Sequence, residues 1–419
     1  MRSRKILAFL LCSLVAGLAV LSAQEILDAI KAGDLAKVKA LVEKEPGIVK
    51  GRNPNGATIL FAAVANRRLE ITDYLISMGA EVNVHNNFHT TPLVLACGNG
   101  APLELVRLLV DKGADVNAVA KYSGKPLDVA LDSGDLALIE YLKSKGAQPT
   151  ALEFDTFRLA KRVHRIAYSW GMRNNIVVFS GPDGILLVDT GFSKHAVPAL
   201  RETIGGLAKG EIAYVLNTHP HGDHVGGSGI LPPKGKTLNH ESLMGGEFQG
   251  LISKGGRALR GRSGKELAVP YLMRLNGEEV QIIPNPGLHS QADLLVYFPK
   301  SKVLCLGDLL LSESCPALSD VAGYMDFLDR IIDIFPAGTT FVSGHGKDLS
   351  KDGLMKYRND LAGMIAAVRK GYEAGKSADD MVRDDILKAY KAEYSLLDWI
   401  GPDSWLLRIV EGLRSGGLK

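Results

Sequence analysis

Two rhythms of apolar and polar positions divide the chain. From Ile26 to Ala147 the apolar residues fall in helix-length groups that return about every 33 residues. Thr58-Ile59-Leu60, then Ile71 to Ile76, then Gly79-Ala80-Glu81-Val82-Asn83 make one unit. Thr91-Pro92-Leu93, Leu105 to Val110 and Gly113-Ala114-Asp115-Val116-Asn117 repeat it. Lys125-Pro126-Leu127, Ile139 to Leu142 and Gly146-Ala147 repeat it again, and Ile26 to Val49 reads as a divergent first copy. Each unit predicts a helix pair and a turn whose apolar face is buried only against its neighbours, so the copies form a short all-α solenoid.

After Pro149 the rhythm shortens. Apolar runs of strand length, Ile176 to Phe179, Ile185 to Val188, Ile212 to Leu216, Val280 to Ile283, Val303 to Leu306 and Thr340 to Val342, are punctuated by glycine and proline and alternate with helical stretches. That alternation predicts a layered α/β sandwich. Beyond His345 the pattern turns helical, with Leu361, Ile365 and Val368 on one face of a helix from Leu354 to Ala374 and a final helix ending near Leu413. The expected organisation is a leader over residues 1–23, repeats over 24–150, an α/β domain over 157–350 and a helical extension over 351–419 packed on that domain.

The chemistry concentrates at the ends of the strand-like runs. Thr218-His219-Pro220-His221-Gly222-Asp223-His224 follows Ile212 to Leu216 directly. His219 and His221 are two apart, so in extended backbone both rings meet one ion. Gly222 lets the chain turn, and Asp223 and His224 then aim at a second. His289 follows the run ending at Ile283, Asp308 follows Val303 to Leu306, and His345 follows Thr340 to Val342 between two glycines. Imidazole and carboxylate are the donors that suit zinc, ahead of Fe, Mn or Co.

These residues resemble the metallo-β-lactamase superfamily, whose pattern is an HxHxDH run followed by a lone His, an Asp and a last His. Val188-Asp189-Thr190-Gly191 is similar to the opening VDTG of that fold. The resemblance implies a four-layer αββα sandwich. It also implies that His219, His221 and His289 hold one zinc, that Asp223, His224 and His345 hold the other, and that Asp308 bridges them. Asp189 is then a support and not a ligand. Asp223 and Asp308 are the residues expected to take part in catalysis, with a hydroxide activated by the metals as nucleophile. Lactamases of the superfamily usually carry Cys or Ser at the Asp308 position, so Asp308 resembles instead the hydrolases of thioesters, lactones, phosphodiesters and sulfate esters, and dedicated lactam hydrolysis is less expected. The segment from Gly287 to Pro299 resembles the lactamase-like periplasmic branch and keeps lactams in view. Nothing after His345 has a flavodoxin-like pattern, and no arginine-rich additions of a nucleic-acid-processing member occur.

The repeats, with their TPL and GADVN elements, resemble ankyrin repeats. A solenoid of that kind binds a protein partner through its concave and loop face or docks on the neighbouring domain, and the sequence leaves both open. The competing reading of the whole chain is an ankyrin scaffold with a vestigial or structural metal site. Structural zinc sites close with four ligands, whereas this chain supplies His219, His221, Asp223, His224, His289, Asp308 and His345 for two ions. Trp399 and Trp405 read as packing anchors, the basic run from Lys254 to Lys265 as a solvated loop or a lid, and Ser312 to Gly323 as a pocket wall.

Charge and cysteines add context. Met1-Arg2-Ser3-Arg4-Lys5 followed by an apolar run to Leu21 and Leu21-Ser22-Ala23 before Gln24 resembles a secretory signal peptide, implying a secreted or periplasmic protein with no stable membrane insertion after cleavage. Arg2, Arg4 and Lys5 account for the whole formal charge of +3, so the remainder nets zero and carries no electrostatic case for nucleic acid. Cys97 and Cys305 lie in apolar runs and read as core residues, although a Cys305 to Cys315 disulfide is conceivable in an oxidising compartment. The expected ligand is a small molecule.

Overall fold

The computed structural model describes residues 24–53, 55–169, 171–232, 236–248, 250–285 and 287–418; the expected leader over 1–23 lies outside them. The chain divides into two compact units, residues 1–151 and 152–419.

The first unit is a row of short helix pairs: Ile59–Ala65 with Leu69–Ser77, Pro92–Gly98 with Leu103–Asp111, and Pro126–Ser133 with Leu136–Ser144, preceded by Leu35–Lys44 and helical residues 24–32. The second helix of each of the three pairs ends at a glycine in the left-handed region, Gly79, Gly113 and Gly146, where a side chain would strain the turn. Asparagines bind the row together. Asn83 donates to the Gly113 carbonyl at 2.9 Å and accepts from the Asp115 amide at 2.8 Å. Asn117 does the same one copy later with Gly146 and Gln148, at 3.1 and 2.8 Å. The final Asn of the repeated element is therefore a rivet between neighbouring units. Asn53 and Asn86 each accept two backbone amides across the turn that precedes the next helix pair. Leu60, Leu75, Val106, Leu109 and Leu142 fill the interior.

The second unit holds two six-stranded sheets. In the first, β1 (Phe154–Ala160), β2 (Val163–Tyr168), β3 (Asn175–Gly181) and β4 (Gly184–Val188) run antiparallel, and β5 (Ile212–Leu216) and β6 (Thr237–Leu238) add parallel to β4. The second contains β7 (Ile252–Lys254), β8 (Tyr271–Leu275), β9 (Glu278–Pro284), β10 (Leu294–Phe298), β11 (Val303–Cys305) and β12 (Thr340–Val342), in the spatial order β12-β11-β10-β9-β8-β7. β1 starts at Phe154, three residues ahead of the expected start of the α/β domain at 157.

Three cores follow from the alternation of side chains across strands. One lies between the sheets and joins Phe179 and Val188 to Val280, Val296 and Phe298, with the rings of Phe179 and Phe298 at 4.9 Å. The opposite faces are covered by helices. α1 (Val197–Leu207) packs on the first sheet through Val197, Leu200 and Ile204. α2 (Val321–Ile334), α3 (Lys351–Glu373) and α4 (Pro402–Arg414) cover the second through Phe327, Leu361 and Trp405. The layers are thus helix, sheet, sheet, helix. Cys97, Cys305 and Cys315 are buried and free of disulfides.

Trp405 is fully buried and its indole nitrogen has no hydrogen-bond partner among the described residues, so packing alone holds it. Trp405→Ala is expected to cost about 3–5 kcal/mol through the cavity it leaves, read as a lower denaturant midpoint of residues 152–419. Trp405→Phe should cost clearly less.

Candidate metal centre

The strand ends deliver the ligand-type residues to one edge. β5 stops at Leu216, His219 follows in a bend and His221 in extended backbone, and a short helix, Gly222–Val225, then carries Asp223 and His224. His289 follows β9, Asp308 follows β11 in a single 3-10 turn, and His345 follows β12. The side chains gather in two groups: His219, His221, His289 and Asp308, and Asp223, His224, His345 and Asp308, the donor atoms of each lying within 4.8 Å of one another.

Asp308 belongs to both groups because its two oxygens face opposite ways. Oδ1 is 3.2 Å from His224 Nε2 and 3.3 Å from His345 Nε2. Oδ2 is 3.8 Å from His219 Nε2 and 3.8 Å from His289 Nε2. In the second group, Asp223 Oδ2 stands 3.3 Å from His345 Nε2 and 3.6 Å from His224 Nε2, and the two Nε2 atoms are 3.4 Å apart. Four donors at zinc bond lengths of about 2.0–2.1 Å in a tetrahedron are separated by about 3.3 Å. The second group has those spacings, and the first is slightly wider.

The hydrogen bonds behind the rings decide where their lone pairs point. His224 Nδ1 donates to Asp189 Oδ2 at 2.8 Å, and His345 Nδ1 donates to the Met172 carbonyl at 2.8 Å. Thr218 Oγ1 gives its proton to Asp189 at 2.8 Å and so accepts from His219 Nδ1 at 3.0 Å. His289 Nδ1 lies 3.3 Å from Asp293 Oδ1. Every one of these partners consumes Nδ1 and leaves Nε2 as a lone pair aimed inward, the arrangement by which outer partners orient metal-binding histidines. His219 Nε2 and Asp308 Oδ1 are buried without a hydrogen-bond partner among the described residues. Converging lone pairs and carboxylate oxygens repel one another unless a cation lies between them, so the donor set fits a pair of divalent ions.

The electrostatics make the same demand. Burial works against a charge on His345, but Asp308 and Asp223 outweigh it and raise its pKa to about 9. His224 is likewise disfavoured by burial yet pushed well above its ordinary value by Asp308 and Asp189. Burial, with His224 beside it, lowers His219 to about 4. Asp308 is held well below the carboxylate range, the nearby His345 and His224 overcoming its burial. In metal-free protein, protons on His224 and His345 stand where the ions belong.

The surroundings are shaped to permit this crowding. Asp189 sits at φ 62°, an uncommon conformation for a residue with a side chain, and its carboxylate holds Thr218 through N at 2.7 Å and Oγ1 as well as His224. A Cβ on Gly344 would lie 2.1 Å from Asp308 Oδ1, and one on Gly307, itself at φ 51°, would lie 2.6 Å from Thr218 Oγ1. Neither position has room for a side chain. Buried Asn174 donates to Asp223 Oδ2 at 3.2 Å and to its carbonyl at 2.9 Å. Asp293, also buried, accepts from the amides of His289 and Ser290 at 3.1 and 2.7 Å.

All seven expected ligand residues come together. Asn174 and the Met172 carbonyl escaped the sequence reading because only the sheet pairing brings them near. Asp293 had a signal, an acid four residues after a histidine at a strand start. One expectation needs correction. Trp399 is not a buried anchor: it is 37% exposed and lines, with Ile400 and Arg408, a cavity of about 390 Å³ that reaches His221, Asp308 and His345. The basic run fits the solvated-loop reading, with Lys254, Arg257, Arg260 and Arg262 exposed, while Lys265 pairs with Asp326 at 2.8 Å and Ser263 donates to Asp333, both on α2. Ser312 to Gly323 does contribute a wall, through Ala317.

A strand-edge site with two groups of nitrogen and carboxylate donors inside an αββα sandwich defines a class of metal-binding hydrolase folds. Residues 169–362 match the Metallo-beta-lactamase superfamily, and residues 55–87 and 78–152 match ankyrin repeats. The chain thus carries a metallo-β-lactamase superfamily domain after N-terminal ankyrin repeats. It is 26% identical over 204 residues to the beta-lactamase-like protein 2 homolog of Caenorhabditis elegans, covering 46% of this chain and 64% of that protein. It is 24% identical over 232 residues to the atrochrysone carboxyl ACP thioesterase of Claviceps purpurea, covering 54% and 69%. It is 25% identical over 193 residues to a metallo-beta-lactamase type 2 of Bacillus cereus, covering 45% and 72%. The chain therefore spans less than two thirds of the nematode relative.

Protonation of His345 ties stability to pH in a stated direction. Its folded pKa of about 9 exceeds the ordinary 6.5, so the contribution is complete below 6.5 and is lost as pH rises through 9. Chelator-treated protein is expected to melt at progressively lower temperature from pH 6.5 to 9, whereas zinc-loaded protein should hold its midpoint over that range. A rising midpoint in the metal-free protein would contradict the assignment.

Proposed function

We propose that this protein is a secreted or periplasmic dinuclear zinc hydrolase of small esters, thioesters, lactones or lactams. The observation that carries the reading is Asp308, whose two oxygens face two separate donor groups. Two divalent ions held there supply Lewis acidity and make a water nucleophilic near neutral pH. The residues would do the rest. His219, His221 and His289 would hold one ion and Asp223, His224 and His345 the other, with Asp308 offering an oxygen to each group. Asp189, Asp293 and Asn174 keep the ligands aimed. Asp308 and Asp223 are carboxylates at the cavity floor, able to accept a proton from the attacking water and pass it to the leaving group. Two relatives bear the names of a thioesterase and a metallo-beta-lactamase, which supports acyl transfer to water as the reaction class. Zinc is favoured over Fe, Mn or Co by the histidine-rich donor set.

The ankyrin repeats support a protein-interaction role for the first unit. Phe88, 36% exposed in the turn that Asn86 holds, is a side chain such a partner would meet.

Elemental analysis of the purified protein is expected to find about two zincs per chain, with chelator-sensitive turnover of a thioester, a lactone, an ester or nitrocefin. His221→Ala should lose about one zinc and more than about 100-fold in turnover, since removing even an outer partner of a metal ligand costs 10–100-fold. Unchanged turnover in that variant would refute the mechanism. Export is checked by the N-terminus of protein recovered from periplasm or medium: a start at Gln24 is expected, and a start at Met1 in the cytoplasm would refute it.

A further inference from the structure

The cavity over the ligand groups takes part of its wall from beyond residue 362, where the family match ends. Leu397, Trp399, Ile400 and Arg408 all belong to that later segment. The segment is tied to the loop that follows Asp308. The Leu396 amide donates to the Glu313 carbonyl at 3.0 Å, the Leu397 amide to Ser314 Oγ at 2.9 Å, and the Cys315 amide to the Ile400 carbonyl at 3.0 Å. Ser404 Oγ donates to the Trp399 carbonyl at 2.9 Å and so holds the turn against the start of α4. Trp405, Ile409 and Val410 anchor α4 in the core, and Arg408, on the adjoining face, reaches the cavity.

Several basic residues of this region are already paired. Lys391 is paired with Asp385 and Asp403 at 2.7 Å each, Lys347 with Glu313 at 3.7 Å, and Arg165 with Asp348 at 2.9 Å. Arg408 is half-buried and makes no ion pair among the described residues. It is the one lysine or arginine among the described residues lining this cavity, and its neighbours there include Leu397, Trp399 and Ile400. A guanidinium partly withdrawn from water, with Leu397, Trp399 and Ile400 on the same cavity wall and no ion pair among the described residues, is suited to fork onto the two oxygens of a ligand carboxylate. A single such group matches a monoanion.

We propose that Arg408 binds the carboxylate of the substrate, and that the hydrolase acts on small carboxylate-bearing acyl compounds whose apolar body rests against Trp399. This rests on the hydrolase reading above. It makes the C-terminal extension a specificity element of the active site.

The test uses the full-length, zinc-loaded protein with 4-nitrophenyl hydrogen glutarate and its methyl ester. Wild type is expected to prefer the free acid by about tenfold or more in kcat/KM, the range of a charge-assisted hydrogen bond. Arg408→Gln should erase most of that preference through KM, with a much smaller loss on the methyl ester, and Arg408→Lys should restore part of it. Calorimetric titration with glutarate gives a readout separate from turnover: Arg408→Gln should weaken binding about tenfold or more, at a zinc content and melting temperature matching wild type. Equal treatment of the two esters by wild type, or glutarate affinity unaltered in Arg408→Gln, would overturn the proposal. If neither ester is hydrolysed with zinc bound, the hydrolase reading fails instead, and the calorimetry still decides whether Arg408 is a carboxylate site. If Arg408→Gln does not fold, Arg408→Lys alone must show a lowered preference for the free acid, and full retention would overturn the proposal.

Discussion

One carboxylate organises the second unit. Asp308 is packed at the end of β11 with an oxygen toward each donor group, and the histidines around it turn their Nε2 atoms toward the same small volume. Such an arrangement is unfavourable by itself, because like-signed lone pairs converge where water cannot separate them. Much of the nearby covalent geometry serves to tolerate it. Gly344 and Gly307 remove side chains that would collide with Asp308 and Thr218, and Asp189 accepts a left-handed backbone to reach both Thr218 and His224. The free energy that keeps the edge ordered comes from elsewhere, chiefly the inter-sheet core and the helices that cover both outer faces.

The two sheets meet the site differently. The first contributes the HxHxDH segment and the Asp189 support, while the second contributes His289, Asp308 and His345 from three successive strand ends. Asn175 joins them, donating its side chain to the carbonyls of Ser343 and Gly346 at 2.8 Å each, while its amide reaches the Gly344 carbonyl at 2.9 Å. Arg165, buried and paired with Asp348, braces the same junction through Asn175 Oδ1 at 2.6 Å. Because both donor groups draw residues from both sheets, displacement of one sheet against the other would open the two groups together.

The repeats are stabilised on a different principle. Each helix pair is completed by apolar contact with the next and by asparagine side chains that bond backbone about 30 residues away. Asn53 and Asn86 spend their side-chain oxygens on their own turns, which leaves residues such as Phe88 to present a surface.

Much of this was legible in the chain itself. Strand-length apolar runs each ending in His or Asp announce a sheet-edge metal site, because a buried strand must stop where polar ligands begin, and the 33-residue recurrence announces the solenoid. The helical character beyond His345 was equally plain, since an amphipathic face shows in local spacing. What local spacing does not carry is which distant groups meet. Asn174 on Asp223, the Met172 carbonyl on His345 and the pairing of Lys265 with α2 depend on how strands register and loops close. The same holds for Trp399, whose composition suggests a buried anchor. Its exposure, and the placement of Arg408 beside the ligands, follow from backbone bonds between Leu396, Ile400 and the loop after Asp308, contacts more than 80 residues apart that only the folded chain brings together.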